Sequence, residues 1–166
     1  MEITRESVGA LVEKYGSTVL RLAYTYLNNM ADAEDTVQDV FLKIMDKAPE
    51  FRDEEHERYW IVRTTINMCK NRLNMFWNKN KRSIDEVAET AVYDKYSEDS
   101  TVLQAVLSLP GNYKAAVYMY YYEGWTTPQI AKMTGKSEIT VRSYLHRART
   151  MLKKILKEEY DFEQEI

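Results

Sequence analysis

The stretch TTPQIAKMTGKSEITVRSYLHRAR, residues 126–149, decides how the second half of this 166-residue chain folds. Threonines precede Pro128, which the first turn of a helix tolerates, so a short helix is predicted over residues 128–133. The sequence Thr134-Gly135-Lys136-Ser137 then predicts a tight turn, and a long amphipathic helix is predicted from about residue 137 to residue 158. A short helix, a glycine-containing turn and a longer helix form a helix-turn-helix.

The long helix of this motif carries side chains suited to reading duplex DNA. Its residues predicted to pack inward are Ile139, Val141, Leu145, Ala148 and Leu152. Those left outward or flanking are Ser137, Glu138, Thr140, Arg142, Ser143, His146 and Arg147, and the predicted phosphate partners are Arg147, Arg149, Lys153 and Lys154. Arginine can donate two hydrogen bonds to guanine, glutamate can accept one from cytosine N4, and serine or threonine can reach bases or phosphates. The module is therefore predicted to bind DNA, with a helical interaction module whose basic face is only solvated as the alternative.

Composition narrows the class of the whole chain. Apolar residues make up 45% and charged residues 30%, which is typical of a soluble folded protein. Five glycines and three prolines are few for many hairpins, so they favour helices over strands. The single cysteine, Cys69, excludes an internal disulfide framework and a cysteine-based zinc site. The scarcity of turn residues leads us to expect an all-α protein. Because the sequence shows neither a signal pattern nor a long apolar run, we expect a cytoplasmic protein with no membrane insertion.

The net charge of −3 conceals blocks of opposite sign. Residues 58–82 hold seven basic side chains and no acid, whereas residues 1–57 and 83–100 are acidic. Residues 101–157 hold nine lysines and arginines against two glutamates, and five acids follow in residues 158–166. Two basic blocks in an acidic chain indicate two contacts with a polyanion, and pairing of the blocks with one another is the alternative.

Three helices are predicted in the first half of the chain. Apolar residues recur at three- and four-residue steps over residues 5–27, from about residue 31 to just before Pro49, and over residues 54–76. The predicted inward residues are Val8, Leu11, Val12, Tyr15, Val19, Leu22, Ala23 and Tyr26, then Ala33, Val37, Val40, Phe41 and Ile44, then Trp60, Ile61, Thr64, Met68 and Leu73. Three such helices can enclose one small core.

The second of these helices carries polar residues at neighbouring exposed positions, namely Asp32, Asp35, Gln38 and Asp39. Like charges on one face weaken a helix, so three interpretations compete. A carboxylate metal site in a bundle usually uses a Glu-x-x-His element, which neither His56 nor His146 supplies. On the residues alone, a solvated face is favoured over a docking surface for a basic partner.

The third helix carries a cationic stripe without acids, made of Arg58, Arg63, Asn67, Lys70, Asn71 and Arg72. The aromatic residues beside it are Tyr59, Trp60, Phe76 and Trp77. Such an arrangement suits single-stranded DNA, because cations follow the phosphates while unstacked bases rest on rings or in pockets. The stripe therefore predicts a contact with single-stranded DNA, whereas Trp60 itself is more consistent with the core.

Residues 79–100 lose the periodicity and become polar, which predicts a flexible linker between two modules. Helices are then predicted over about residues 102–109 and 113–122, separated by Pro110-Gly111. The chain therefore divides into an N-terminal module (1–78), the linker (79–100), a C-terminal module (101–158) and an acidic tail (159–166).

Three motifs stand in order along the chain: DAEDTVQDVF at residues 32–41, WIVR at 60–63 with Asn67 and Arg72, and Leu109-Pro110 ahead of TVRSYLHRAR at 140–149. Together they resemble bacterial RNA polymerase sigma factors of the sigma-70 family, and among these the short extracytoplasmic-function (ECF) group. The resemblance covers residues 5–78 and 101–157, which correspond to the second and fourth sigma domains.

The resemblance implies roles for the residues already singled out. Asp35, Gln38 and Asp39 correspond to the surface that docks on core RNA polymerase, so the acidic face becomes a docking surface. The stripe over residues 58–72 corresponds to the part that reads and melts the promoter −10 element, and the helix-turn-helix corresponds to the reader of the duplex −35 element. Asn71 stands where many relatives carry aspartate, Ile139 where a glycine is common, and Tyr144 where an arginine is frequent.

The resemblance also implies a non-enzyme without a cofactor, and the sequence offers no nucleophile–base pair, phosphate-binding loop or metal cluster. An anti-sigma factor is a common partner in the family. The alternative from a different class is a stand-alone helix-turn-helix regulator whose N-terminal bundle senses a ligand or forms a dimer. A purely protein-binding adaptor is a third possibility.

Overall fold

The computed structural model of the chain describes residues 4–79 and 101–164. The predicted linker, apart from its first residue, and the last two residues of the predicted tail lie outside the described residues. The chain divides into two compact units whose boundary falls within the predicted linker. All regular elements in the two described ranges are helices, so the predicted all-α class is confirmed.

The N-terminal unit contains α1 (Arg5–Leu27), α2 (Met30–Lys47) and α3 (Glu54–Lys79). Local hydrogen bonds fix the ends of α1 and the start of α2. Thr4 and Ser7 form a capping box at the start of α1, and Asn28 ends this helix in the left-handed conformation, with a φ of 51°. Asn29 then begins α2 by accepting a hydrogen bond of 2.9 Å from the Asp32 amide. The two asparagines thus make the turn between the helices.

The three helices pack around one apolar core. Its buried members are Val8, Leu11, Tyr15, Val19, Val40, Phe41, Ile44 and Ile61, with Val37, Phe51, Trp60 and Met68 partly buried against them. Two residues predicted to point inward do not, because Val12 is 41% exposed and Leu73 is 40% exposed. Val12 lies one turn before Gly16, which has no side chain to cover it, since a Cβ at Gly16 would come within 3.8 Å of Val12 Cγ1. Leu73 lies beyond Cys69, the last buried residue among the described side chains of α3.

The C-terminal unit contains α4 (Thr101–Leu107), α5 (Gly111–Val117), α6 (Thr127–Thr134) and α7 (Glu138–Gln164). The helix predicted over residues 113–122 begins earlier, at Gly111, and its last part, Tyr118–Tyr122, is a π-helical turn. Helix α7 continues into the predicted tail instead of ending near residue 158. The tail contains helix-favouring glutamates and neither glycine nor proline, so nothing in it stops the helix.

The core of this unit includes Val106, Leu109, Val117, Met119, Trp125, Ile130, Met133, Val141, Leu145 and Ala148. One predicted core position is wrong, since Ile139 is 80% exposed. Val141 and Leu145, which are 1% and 2% exposed, define the inward face of α7. Ile139 precedes Val141 by two residues, or about 200° around the helix, and therefore cannot share that face.

Candidate nucleic-acid and partner interfaces

Hydrogen bonds at the helix ends set the helix-turn-helix formed by α6 and α7. Thr126 and Gln129 form a capping box at the start of α6, and Gly135 ends α6 with a φ of 70°, a conformation that glycine adopts without strain. Ser137 then caps α7, because its Oγ accepts a hydrogen bond of 3.2 Å from the Thr140 amide. The Ser137 and Thr140 hydroxyls lie 2.8 Å apart, so these two predicted DNA-contacting groups bond to each other.

The remaining predicted residues of α7 divide by exposure. Arg142, His146 and Arg147 are exposed, Ser143 is half-buried, and Val141 lies on the opposite, buried side. Position 146 follows position 142 by four residues and position 143 by three, so the three side chains lie on one surface of the helix. This surface is the part of the unit that can enter a groove of DNA.

Glu138 and Arg142, for which the sequence predicted contacts with different bases, are paired with each other. Arg142 donates from Nη2 to Glu138 Oε1 at 2.7 Å across one helical turn. The Thr127 hydroxyl donates to the same oxygen at 3.1 Å. Because the Arg142 side chain is 68% exposed, Glu138 orients its guanidinium at one edge and leaves most of it open to a ligand.

Two other arginines of α7 contact tyrosines. Arg149 donates from Nε to the Tyr121 hydroxyl at 2.6 Å, and its guanidinium lies 5.8 Å and 5.6 Å from the ring centres of Tyr120 and Tyr121. Arg147 donates to the Tyr113 hydroxyl at 3.4 Å. The π-helical turn that presents Tyr120 and Tyr121 was not predicted, because a run of tyrosines carries no signal that separates it from an ordinary helix.

Arg142 and Arg149 also line one concave surface, which encloses a volume of about 380 Å³. The other lining residues are Tyr120, Thr126, Thr127 and Leu145. Two arginines and three hydroxyl-bearing residues therefore line this surface near the first turn of α6. Guanidinium groups bind phosphate through charge-assisted hydrogen bonds, so this surface can hold a backbone phosphate of DNA.

On α3, the six residues of the predicted cationic stripe do not share one face. Four of them recur at three- and four-residue steps and form an outer face, namely Arg63, Asn67, Lys70 and Asn71. Asn67 and Asn71 are exposed. Arg58 and Arg72 are turned toward the packed side of the helix, where the Arg58 Nε is buried without a hydrogen-bond partner among the described residues. The sequence thus predicted the residues of this helix but not their division into two sides.

Arg72 forms an ion pair with Asp39 on α2. Its Nη2 lies 2.7 Å from Asp39 Oδ2, and the two side chains are 32% and 49% exposed. This contact joins a predicted −10 residue to a predicted docking residue. The partners stand 33 positions apart in the sequence, so no local pattern could have predicted their contact.

The acidic face of α2 has an apolar neighbour that the sequence analysis missed. Asp35 and Gln38 are exposed as predicted, and Leu42, four residues after Gln38, is 60% exposed. Met45, in the following turn, is 48% exposed. The sequence could have indicated this exposure, because Leu42 and Met45 are apolar residues that do not belong to the predicted inward stripe of this helix.

Cys69 is fully buried, which raises the pKa of its thiol to about 12, so the thiol stays protonated at neutral pH. Among the side chains that the structure describes, no three of His, Cys, Asp or Glu come together as metal ligands would. None of the helices described is both long enough and apolar enough to cross a bilayer.

Two family models match the chain in the order that its units follow. The model described as Sigma-70 region 2 matches residues 11–78, and the model described as Sigma-70, region 4 matches residues 100–152. The chain is 32% identical over 155 residues to the ECF RNA polymerase sigma factor SigE of Mycolicibacterium smegmatis, covering 88% of this chain and 60% of SigE. It is 28% identical over 139 residues to the RNA polymerase sigma factor SigV of Bacillus subtilis, covering 80% of this chain and 81% of SigV.

Two solved structures share the fold. The sigma factor RpoE from Bartonella quintana, solved with the anti-sigma factor NepR, matches 92% of this chain and 98% of its own with a TM-score of 0.71 and 17% identity. CnrH, solved with the cytosolic domain of CnrY, matches 93% of this chain and 90% of its own with a TM-score of 0.64 and 20% identity. At these identities the likeness establishes the fold alone.

Proposed function

Because the chain belongs to the sigma-70 family of bacterial RNA polymerase sigma factors, in its ECF group, we propose that it binds core RNA polymerase and directs transcription initiation at a specific set of promoters. The observation that carries this proposal is the presence of both a region 2 unit and a region 4 unit in one chain. RNA synthesis is then catalysed by the polymerase. The chain itself is a non-enzyme that works beside the polymerase in the cytoplasm.

The docking surface for core polymerase is the exposed face of α2, formed by Asp35, Gln38, Asp39 and Leu42. Its carboxylates favour a basic partner and steer the encounter, while burial of Leu42 supplies an apolar contact. In the family this surface docks on the clamp helices of the polymerase. The acidic face of α2, with Leu42 60% exposed beside it, supports docking on the polymerase here as well.

The −10 element is contacted by the outer face of α3. Arg63 and Lys70 face the phosphates of the single strand, and Asn67 and Asn71 offer amides that can both donate to and accept from base edges. Unstacking a base costs a few kcal/mol, so polymerase contacts and captured bases together must offset this cost. Arg58 and Arg72, on the packed side of α3, contact this DNA only at its margins.

The −35 element is read by α7 in the major groove. Arg142, oriented by Glu138, donates to guanine, and Ser143, His146 and Arg147 line the same helix surface. Arg149, which lines the same concave surface as Arg142, holds a neighbouring phosphate. This arrangement lets backbone contacts fix the position of the helix while its exposed face selects the sequence.

The 22 residues of the predicted linker, 79–100, allow the two units to span a promoter. An extended segment of this length reaches at most about 70 Å. The −10 and −35 elements, which lie several helical turns apart, are therefore within reach of one chain.

An anti-sigma factor belongs to the same proposal. The structurally similar RpoE and CnrH were solved with NepR, an anti-sigma factor, and with the cytosolic domain of CnrY. A protein of this kind, bound to the units of this chain, would withhold it from polymerase until a signal removes the inhibitor.

The docking part of the proposal is tested by charge reversal on α2. Asp35→Lys is the primary variant, because Asp39→Lys would also break the ion pair with Arg72. Glu13→Lys, at an exposed position of α1, is the matched control. We expect Asp35→Lys to weaken binding to purified core polymerase about tenfold or more and Glu13→Lys to leave it unchanged, with equal helical circular dichroism. Unchanged affinity of Asp35→Lys would refute the docking surface.

Run-off transcription tests the function as a whole. Core polymerase with the chain is expected to start at particular upstream regions of the chain's own genome, where core polymerase alone is not selective. A stand-alone regulator would instead bind promoter duplex tightly without polymerase. A mixture no more selective than core polymerase would overturn the proposal.

A further inference from the structure

Ile139 is the most exposed large apolar side chain among the described residues, at 80%. It occupies the first turn of α7, directly after Glu138, where an ordinary soluble helix would carry a polar residue. Val141, Leu145 and Ala148 form the buried side of the helix, and Ile139 lies on the other side. Ile139 therefore offers an apolar contact to any ligand that covers the start of α7.

The register of α7 assigns Ile139 to the same surface as the predicted base readers. Arg142, Ser143 and His146 follow it by three, four and seven residues, which is the spacing of one helix face. Ile139 therefore lies at the N-terminal end of that face. In a helix-turn-helix, the N-terminal residues of the second helix are those that approach base edges.

The groups around Ile139 restrict what can cover it. Its neighbours on this face are Arg142, which is exposed and cationic, Ser143 and His146, so the surface is polar and basic apart from one aliphatic group. A protein partner would be favoured by a continuous apolar patch, which these neighbours do not provide. DNA matches the cationic surroundings, and its major groove offers one apolar group that identifies a base, the 5-methyl group of thymine.

We infer that Ile139 is a specificity residue that packs against the 5-methyl group of a thymine in the −35 element, close to the base that Arg142 contacts. This inference rests on the proposed promoter recognition and adds to it an apolar contact beside the hydrogen bonds. Glu138, which accepts a hydrogen bond from the Thr127 hydroxyl, pairs with Arg142 at one edge of the guanidinium. The two side chains, one turn apart, thus offer a methyl contact and a bidentate donor to neighbouring base pairs.

Deoxyuridine substitution tests this contact, because it removes only the 5-methyl group. The DNA is a promoter that the reconstituted holoenzyme transcribes in the run-off assay, with each thymine of the −35 region replaced in turn. Burial of one methyl group corresponds to a change of about fourfold in affinity. We expect one position to lose about this factor with the unmodified holoenzyme and to lose nothing with Ile139→Ala, while Met151→Ala, an exposed apolar change elsewhere on α7, keeps the full loss.

The outcomes separate this inference from its premise. If the holoenzyme selects promoters but no deoxyuridine changes its affinity, or if the loss persists in Ile139→Ala, the thymine contact is wrong and the proposed function stands. A −35 element without thymine would contradict the inference equally. If Ile139→Ala instead weakens only the binding of an anti-sigma protein, Ile139 belongs to a protein interface and the inference is overturned. A holoenzyme that selects no promoter would remove the premise itself.

Discussion

Lys114 is buried in the C-terminal unit, on α5, which packs against α7. Its side chain is 7% exposed, and this burial lowers its pKa from 10.5 to about 8. Replacing Lys114 with methionine keeps an unbranched side chain, shorter by one heavy atom, and removes the charge. We therefore expect Lys114→Met to stabilise the unit at neutral pH and to change how its stability depends on pH.

The sign and size follow from proton linkage. Above pH 10.5 the lysine is neutral in both states, so its charge contributes nothing to unfolding. As the pH falls from 10.5 to about 8, the unfolded chain binds the proton first, and folding loses stability over this window. The loss is complete below pH 8 and amounts to about 3 kcal/mol from the difference between the two pKa values. This figure is an upper limit, because the ammonium group on a flexible stem can reach toward water.

Urea unfolding at several pH values measures this effect. Trp125 is 6% exposed inside the same unit, so its fluorescence reports on this unit once Trp60 and Trp77 are replaced by phenylalanine. The advantage of Lys114→Met over the parent is expected to be largest near pH 7 and to shrink toward pH 10.5. Lys136→Met, at an exposed position, is the matched control and should show no such trend. An advantage that stays constant from pH 7 to 10.5 would refute the reasoning.

Three further predictions concern the charged surfaces. A double-mutant cycle of Asp39→Asn and Arg72→Gln, followed by urea unfolding, should give a coupling below about 1 kcal/mol that fades with added salt, because both partners are partly exposed; a larger, salt-insensitive value would contradict this. Arg142→Ala should cost about 1–3 kcal/mol of holoenzyme binding at one −35 base pair, measured by competition among promoter variants, whereas an equal loss on every sequence would make Arg142 a phosphate contact. The isolated chain should bind promoter duplex weakly in fluorescence anisotropy, because its acidic blocks oppose the DNA and melting lacks polymerase contacts, and tight binding by the chain alone would favour the stand-alone regulator.

The sequence predicted the helices best where local chemistry decides their ends. The bounds of α1 agree with the predicted residues 5–27, because periodic apolar residues lead directly into Asn28 and Asn29, which cap the two adjoining helices. The helix-turn-helix was equally accessible, since Gly135 supplies the left-handed residue that its turn requires. Helix α7 ends later than predicted, because the acidic tail contains neither glycine nor proline and negative charge alone does not end a helix.

Side-chain orientation was predicted less well, and the errors have a common cause. Ile139 was assigned to the core for being apolar, although its offset of two residues from Val141 puts it on the opposite side of an α-helix. Leu42 was overlooked for the converse reason, because an apolar residue outside the inward stripe was not taken as part of a surface. An apolar side chain can be buried, but its position around the helix axis decides whether it is buried.

Contacts between helices could not be predicted from the sequence, and they change how many charged side chains each helix face presents. The six polar residues of α3 form one block in the sequence, but its 3.6-residue turn divides them, and Arg72 is drawn to Asp39 on α2. The outer face of α3 therefore presents fewer cations to DNA than the block of charge suggests, and the face of α2 presents fewer free carboxylates. Within this unit, the acidic and basic blocks are paired at Arg72 and Asp39, whereas the use of the other exposed polar residues as binding faces stays a prediction. Asp35 and Asn67, exposed on their respective helices, are the positions where the two binding faces can be probed independently of that ion pair.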